Sequence, residues 1–133
     1  MTDAAQNVAA MYEEILRVRP FLVAALEHGN PEQTHTFRDI ADGIISGRYH
    51  LWTEPNAAAI TEFVTFPHRK YLHIFLCGGD LDEIRGRVED VKRFAKASGC
   101  DGVSVSGRPG WVRALKDFGF TSRQLVYVTC EEL

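Results

Sequence analysis

The sequence is short of residues that cross-link or interrupt a chain, with 3 cysteines and 5 prolines among 133 residues. The cysteine count is odd, and the wide spacing of Cys77, Cys100 and Cys130 predicts neither a disulfide framework nor a zinc site. The histidines also lack metal-ligand spacing, so no bound metal is expected. Because a chain of this length can bury a core without such supports, we expect the three thiols to be free and buried.

Excess positive charge and long apolar runs are missing as well. The formal net charge of −3 gives no general attraction for nucleic acid or for anionic membranes. The opening residues, MTDAAQNVAAMYEE, contain neither a basic region nor a long apolar segment. The sequence therefore predicts no signal peptide, no membrane span and no nucleic-acid partner, and it favours an intracellular protein.

The first third of the chain has the apolar spacing of helices. Residues 1–33 are predicted to form an N-terminal helical segment, and Pro20 interrupts the pattern at a position that suits the first residue of a second helix. Thr36 followed by Asp39 predicts the start of a further helix, which Gly47 ends.

The rest of the chain alternates between strand and helix patterns. RYHLWT and AAITEFVTF flank the turn EPNA and predict a hairpin, and YLHIFLC predicts a strand covered on both faces. A helix with a capping box at Asp80 and Glu83 follows, then the strand GVSVSG, a helix ended by Gly119 and the strand RQLVYVTC. The predicted fold class is α/β (α+β mixed), in a single domain over residues 1–133. Its mixed sheet has an antiparallel hairpin, a central β-α-β crossover and helices on both faces.

Motifs in this part of the chain resemble a known family. The element order and the DFGF after the last helix resemble the GCN5-related N-acetyltransferase (GNAT) fold, over residues 34–129. A Leu-Trp strand, a Gly-Gly after the central strand, an Ala-Lys-x-x-Gly-Cys helix end and a Gly-Arg-x-Gly-Trp turn are similar to the short GNAT-like proteins of tailed phages and prophages. This resemblance implies a phage origin and a place in the host cytoplasm or in the virion.

The resemblance also indicates where a cofactor would bind. GNAT enzymes hold the acetyl-CoA pyrophosphate at the start of the helix after the central strand, behind a Gln/Arg-x-x-Gly-x-Gly/Ala motif. The matching stretch here is CGGDLDEIRG, which makes Cys77, Gly78, Gly79 and Arg85 the candidate cofactor contacts. Acidic residues crowd the same helix start, where they complement the helix dipole and would repel a pyrophosphate. The sequence therefore favours no cofactor, with acetyl-CoA as the alternative.

The catalytic part of the family's last motif is missing. Many GNAT enzymes have a tyrosine general acid in the last helix, and this position falls on Leu115, which has no proton to donate. Glu62 in the hairpin and His73 in the central strand are the candidates for a general base, because both side chains can accept a proton. The alternatives are a solvent-facing Glu62 and a packed His73 with satisfied ring nitrogens.

The turn GRPGW allows two interpretations. Its glycines permit positive φ and Pro109 suits the start of a helix, so Trp111 could cap the core. Alternatively, Arg108 and Trp111 form an exposed anchor for a protein partner, since both residue types are enriched in interface hot spots.

Together, these observations favour a phage-type GNAT-fold protein that is not catalytic. It would be a virion-associated or structural component that acts through protein partners, among them virion proteins. The alternative is an active acetyl-CoA-dependent N-acetyltransferase with an atypical cofactor loop, and an enzyme of this fold would be a GNAT-type N-acyltransferase.

Overall fold

The computed structural model describes residues 4–29, 34–106, 113–121 and 131. The elements in chain order are helix α1 (Ala4–Gly29), helix α2 (Phe37–Ser46), strands β1 (His50–Glu54), β2 (Ala57–Thr65) and β3 (Lys70–Gly79), helices α3 (Leu81–Arg85) and α4 (Val88–Ala97), strand β4 (Gly102–Val105) and a 3-10 helix (Lys116–Phe118). The predicted mixture of helices and a mixed sheet is confirmed. The predicted final strand, Cys130, Arg108 and Trp111 lie outside the described residues.

Helix α1 packs on β2, β3 and α2 as one continuous helix. Its buried side chains recur at three- and four-residue steps and so lie on one face: Ile15, Val18, Leu22 and Ala25. The predicted helix boundary at Pro20 is wrong, because Pro20 lies inside α1 on its exposed side. There, water can satisfy the carbonyl that a proline leaves without a partner, and the buried face continues past it.

Helix α2 begins and ends as the sequence predicts. The Thr36 hydroxyl accepts the Asp39 N–H at 3.3 Å and the Asp39 carboxylate accepts the Thr36 N–H at 2.8 Å, which completes a capping box. Gly47 ends the helix with a φ of 84°, in the left-handed region that favours glycine. The chain then turns directly into β1.

The four strands lie in the sheet in chain order, β1-β2-β3-β4. The pairs β1–β2 and β2–β3 are antiparallel, as predicted for the hairpin, and β4 runs parallel to β3 after the crossover through α3 and α4. The register between β2 and β3 shifts between Ile60 and Thr61, which leaves Phe75 as an extra residue in β3. This is a β-bulge, and it reverses the alternation of side chains along the second half of β3.

The helix predicted after Asp80 forms as two helices. α3 ends at Arg85, residues 86–87 form a turn, and α4 begins at Val88. Asp80 caps α3 by accepting the Glu83 N–H at 3.0 Å. The Glu83 carboxylate, however, accepts the Asn56 N–H at 3.1 Å, so the predicted capping box is only half formed. Glu83 instead connects α3 to the turn between β1 and β2.

The sheet separates two apolar cores, so helices cover both faces as predicted. One core joins α1 and α2 to the sheet through Ala58, Ile60 and Leu76. The other joins α4 to the sheet through Leu72 and Ile74, and the free thiols Cys77 and Cys100 are packed against it, half-buried as residues. Among the described residues, no helix has both the length and the apolar character needed to cross a membrane.

Candidate active site

The two side chains that the sequence marks as candidate bases meet on the sheet. Glu62 in β2 lies directly opposite His73 in β3 in the antiparallel register. Such opposed residues share one face, with Cβ atoms about 4.5–5.5 Å apart. Leu72 and Ile74, on either side of His73, belong to the α4 core. By alternation, Glu62 and His73 lie on the opposite face, the one that carries α1 and α2.

Two serines of the β4 region hold the imidazole of His73. Its Nδ1 atom lies 2.7 Å from Ser104 Oγ, and its Nε2 atom lies 2.9 Å from Ser106 Oγ. Both ring nitrogens therefore have a hydroxyl partner, which fixes the orientation of the ring. His73 is half-buried, whereas Ser106 is exposed. Glu62, His73, Ser104 and Ser106 are called the polar cluster from here on.

The surroundings of His73 favour its neutral form. Burial lowers the pKa of His73 below its ordinary value of 6.5, because a buried imidazolium loses hydration. A neutral imidazole has one nitrogen that donates a proton and one that accepts. Placed between two hydroxyls, it can take a proton from one of them while it donates to the other. The arrangement is therefore suited to a proton relay that begins at the exposed Ser106.

The polar cluster lies where the two parallel strands stop pairing. The register of β3 with β4 ends at Ile74 and Val105, and the Ser106 N–H then donates to the Ile74 carbonyl at 3.4 Å. β3 continues to Gly79, where it pairs with β2 alone; no described residue pairs with its other edge over residues 75–79. An unpaired strand edge presents backbone N–H and C=O groups to an extended ligand. The polar cluster thus adjoins a backbone surface that can bind such a ligand.

Aromatic side chains of the α2 face lie close to the polar cluster. The ring of Phe75 lies 5.6 Å from that of Tyr49 and 4.9 Å from that of His35. Burial, with a smaller effect of the Glu62 carboxylate, raises the pKa of Tyr49. The Tyr49 hydroxyl therefore stays protonated near Glu62. Apolar rings beside a few convergent polar groups are typical of small-molecule sites.

The candidate cofactor contacts at the end of β3 pack against the protein's own backbone. A Cβ atom added to Gly78 would lie 2.0 Å from the carbonyl oxygen of Phe21 in α1. One added to Gly79, whose φ is 99°, would lie 2.2 Å from the carbonyl oxygen of Asn56. Cys77 lies in the α4 core, where burial raises the pKa of its thiol to about 12. The glycines thus permit close packing of α1 and of the β1–β2 turn.

Arg85 and Leu115 also make internal contacts. Arg85 Nη2 lies 3.6 Å from a carboxylate oxygen of Asp117, and the guanidinium lies over the ring of Phe118. Leu115 is 1% exposed and lines an apolar cavity of about 30 Å³ between the sheet and α4. A cavity of this size holds a water molecule or a small apolar group rather than a cofactor. The position of the family's tyrosine acid therefore faces the core.

The sequence pattern did not mark Ser104, Ser106 or Tyr49 as site residues. The alternation in GVSVSG already places both serines on one face of a strand, but only the register with β3 brings them to His73. Arg108 and Trp111 lie outside the described residues, so their role as core cap or partner anchor stays a prediction. Among the residues that are described, no group of three or more His, Cys, Asp or Glu side chains could hold a metal ion.

Comparison with known proteins shows likeness at the level of structure. No protein-family model and no curated protein matches the chain. A predicted acetyltransferase of Clostridium acetobutylicum, solved with acetyl-CoA, matches with a TM-score of 0.64 and 11% identity, over 92% of this chain and 91% of that one. Glucosamine-6-phosphate N-acetyltransferase of Arabidopsis thaliana matches with a TM-score of 0.58 and 15% identity, over 90% and 95%. Wild-type TTHA1254 of Thermus thermophilus matches with a TM-score of 0.55 and 21% identity, over 85% and 95%.

At these identities the likeness shows the fold alone. Two of the three structures are described as acetyltransferases, so the GNAT-like fold that the sequence resemblance implied is confirmed. The narrower likeness to phage and prophage proteins stays a prediction.

Proposed function

We propose that this protein is a GNAT-fold N-acyltransferase whose proton-transfer groups are those of the polar cluster. The observation that carries the proposal is the position of His73, held between Ser104 and Ser106 where β3 and β4 stop pairing. Acetyltransferases of the same fold support the reaction class. Of the two functions that the sequence leaves open, the polar cluster favours the enzyme.

The chain fits one end of an acyl-CoA donor. The edge of β3 over residues 75–79, which pairs with no described residue on the side of β4, can hold an extended arm beside the polar cluster. A bound thioester supplies an activated carbonyl carbon and a thiolate leaving group. Before α3, carbonyl oxygens of Phe21 and Asn56 occupy the open sides of Gly78 and Gly79, so a pyrophosphate has no room against these two glycines on those sides. The proposed acyl transfer therefore depends on the acyl end of the donor, which carries the thioester.

In this proposal His73 takes up the proton that the acceptor amine loses. In the tautomer with a proton on Nδ1, that N–H donates to Ser104 Oγ, and Nε2 accepts from the Ser106 hydroxyl. The amine nitrogen forms a bond to the carbonyl carbon as the C–S bond breaks. Ser106 then receives the amine proton and passes its own to Nε2. Glu62 lies opposite His73 on the same face of the sheet.

Two further proton transfers, to the thiolate and from the imidazolium, complete the reaction. The thiolate takes a proton from solvent, since Leu115 is buried at the place of the family's acid. The imidazolium then returns its proton to water through Ser106, which regenerates the neutral His73.

Acyl-transfer assays test the proposal. The purified protein is incubated with acetyl-CoA or S-acetylpantetheine and a panel of primary amines and lysine peptides, and thiol release and product mass are measured. His73→Ala and Ser106→Ala should each lower kcat/KM by about 10²–10⁴-fold, the usual contribution of general base catalysis. Ser98→Ala, a serine outside the polar cluster, is the control and should retain full activity. No transfer to any amine, or full activity in both variants, would refute the proposal.

A second candidate is a protein that keeps the GNAT fold and acts through protein contacts, as the likeness to phage proteins implies. The occupied glycine positions at the start of α3 favour it, because they oppose the family's usual cofactor contact. If this candidate is correct, acyl donors should not stabilise the protein. Mass spectrometry should then detect the protein in purified virions. Absence from the particles, together with acyl transfer in solution, would exclude it.

A further inference from the structure

Three side chains on the face of the sheet that carries α4 form a network around one buried hydroxyl. Thr61 is 0% exposed and is the one polar residue in the buried core of the described chain. Its Oγ1 atom lies 2.9 Å from the indole Nε1 atom of Trp52 and 3.0 Å from the Nδ1 atom of His50. Trp52 and His50 belong to β1, and Thr61 lies opposite His50 in β2. These three residues are called the threonine network from here on.

Aromatic rings hold the imidazole of His50 between the sheet and α4. Its centroid lies 4.8 Å from the ring of Phe63 in β2 and 5.0 Å from the ring of Phe94 in α4, both in edge-to-face geometry. The ring of Phe94 also lies 5.7 Å from that of Trp52. Edge-to-face contacts of this kind stabilise packing beyond the area that they bury. The state of His50 therefore affects how α4 packs on β1.

The hydrogen bonds of the threonine network depend on where one proton lies. The indole N–H of Trp52 can only donate, so the Thr61 oxygen accepts from it. When Nδ1 of His50 is unprotonated, it accepts the Thr61 proton, and all three groups are satisfied. A protonated Nδ1 must donate instead, which leaves the Thr61 hydroxyl proton without an acceptor in the network. An unsatisfied donor at a buried position destabilises the fold.

We infer that the threonine network is an acid-sensitive latch, which holds α4 against β1 and opens when His50 takes up a proton. Because β1 is the edge strand of the described sheet, an imidazolium can turn from this position toward water. Phe94 then loses one of its ring contacts, and α4 packs less tightly on the sheet. The inference concerns the conformation of the chain and does not depend on the proposed function.

The charged groups on the elements around His50 are engaged elsewhere in the chain. Glu54 on β1 and Asp90 on α4 both pair with Arg87. Lys70 on β3 donates to a backbone carbonyl at the end of α4 at 2.9 Å. β2 faces the imidazole with an uncharged hydroxyl and a phenyl ring. The balance between neutral and charged His50 is therefore set by burial and by Thr61.

Burial keeps the latch closed at neutral pH. It lowers the pKa of His50 below the ordinary value of 6.5, and a hydrogen bond with the Thr61 backbone raises this pKa by a smaller amount. The unfolded chain consequently binds more protons than the folded one as the pH falls below 6.5. Stability that the neutral imidazole contributes is thus present above pH 6.5 and is lost on acidification.

An NMR titration of the wild-type protein tests the latch. The indole N–H resonance of Trp52, assigned by its loss in Trp52→Phe, should shift with pH at the same midpoint as the ring protons of His50. This midpoint should lie below pH 6.5. A Trp52 resonance that does not follow His50 would overturn the inference.

Two variants of Thr61 separate the hydrogen-bond network from the nearby charge. Thr61→Ser keeps the hydroxyl, so Trp52 should still respond at the midpoint of His50. In Thr61→Val, which removes the hydroxyl, His50 should still titrate while the shift of Trp52 is largely lost. An equal response of Trp52 in both variants would show that the charge acts through space and would reject the latch.

Unfolding by urea at about pH 5 and about pH 7.5 measures the effect on stability. The unfolding constant of the wild type should rise on acidification, and the rise should be about threefold or more smaller in His50→Gln. His73→Gln is the matched control, because burial also lowers the pKa of His73. Removing His73 should leave the Trp52 titration intact. The same acid response in His50→Gln as in the wild type would contradict the inference.

Amide exchange identifies the helix that responds. As the pH falls through the midpoint of His50, protection factors of the α4 amides should fall more than those of α2, which packs on the opposite face of the sheet. In His50→Gln the two helices should keep the same ratio of protection factors. Equal loss of protection in both helices of the wild type would show general acid unfolding in place of a latch.

Discussion

At the scale of single residues, the surroundings of His73 set both its charge and its orientation. Two hydroxyls fix the ring, and burial favours the neutral imidazole. The sequence alone could identify His73 only as a side chain able to accept a proton. The serines that make it part of a relay follow from the pairing of β3 with β4.

The pKa of His73 predicts the acid limb of a pH profile. Only the neutral imidazole accepts a proton, so kcat/KM should fall as the pH drops through the pKa of His73. Because burial lowers this pKa, the fall should lie below pH 6.5. The measurement is kcat/KM over the acid and neutral pH range at constant ionic strength, and Ser98→Ala should give the same profile. A limb centred above pH 6.5 would show that another group carries the proton.

At the scale of elements, the contact of α1 with the end of β3 depends on a residue without a side chain. Phe21 places its carbonyl oxygen against Gly78, so the backbones of the helix and the strand approach directly. This contact gives Gly78 a structural role at the end of β3.

Gly78→Ala should therefore destabilise the fold by about 1–3 kcal/mol, the usual cost of forcing an extra carbon into a packed contact. Gly86→Ala is the matched control. Gly86 has a φ of −63°, and an added Cβ atom would meet its nearest neighbour, the Asp82 carbonyl oxygen, at an ordinary 3.4 Å. This variant should be as stable as the wild type or slightly more stable. Urea unfolding of both variants gives the free energies, and equal stability of the two would contradict the assigned contact.

The helices also show which boundaries and caps local sequence signals can predict. Local signals predicted α2 correctly, because Thr36, Asp39 and Gly47 act within a few residues of one another. They failed at Pro20, where burial of the α1 face on both sides outweighs the break that a proline favours. They failed again at Glu83, because its carboxylate bonds to Asn56, a partner distant in sequence.

At the scale of the whole molecule, the strand registers bring the residues of the candidate site together. Glu62 meets His73 through the β2–β3 register, and both serines meet His73 through the β3–β4 register. Hydrophobic periodicity and the family resemblance predicted the sheet and the GNAT-like fold, which the solved structures confirm. Neither could predict the site, since periodicity defines faces of a strand but not its partners.

Amide hydrogen exchange can examine the edge of β3 that pairs with no other strand among the described residues. Over residues 71–74, β3 is paired on both sides, so its amides should exchange slowly throughout. Over residues 75–79, amides that face β2 should stay slow, whereas those that face the open edge should exchange faster. Residue-resolved exchange by NMR measures this, with the β2 amides as internal reference. Uniform protection over residues 75–79 would show that another part of the chain pairs with this edge.

The order of strands in the sheet has a consequence for folding kinetics. Each strand pairs with its neighbour in sequence, and short turns join β1, β2 and β3. Closing such short loops costs little chain entropy, so the three-stranded meander is expected to form early. Helix α1 is far from β3 in the sequence, so its contact with β3 would form late. Gly78→Ala would then mainly speed unfolding and hardly change the folding rate.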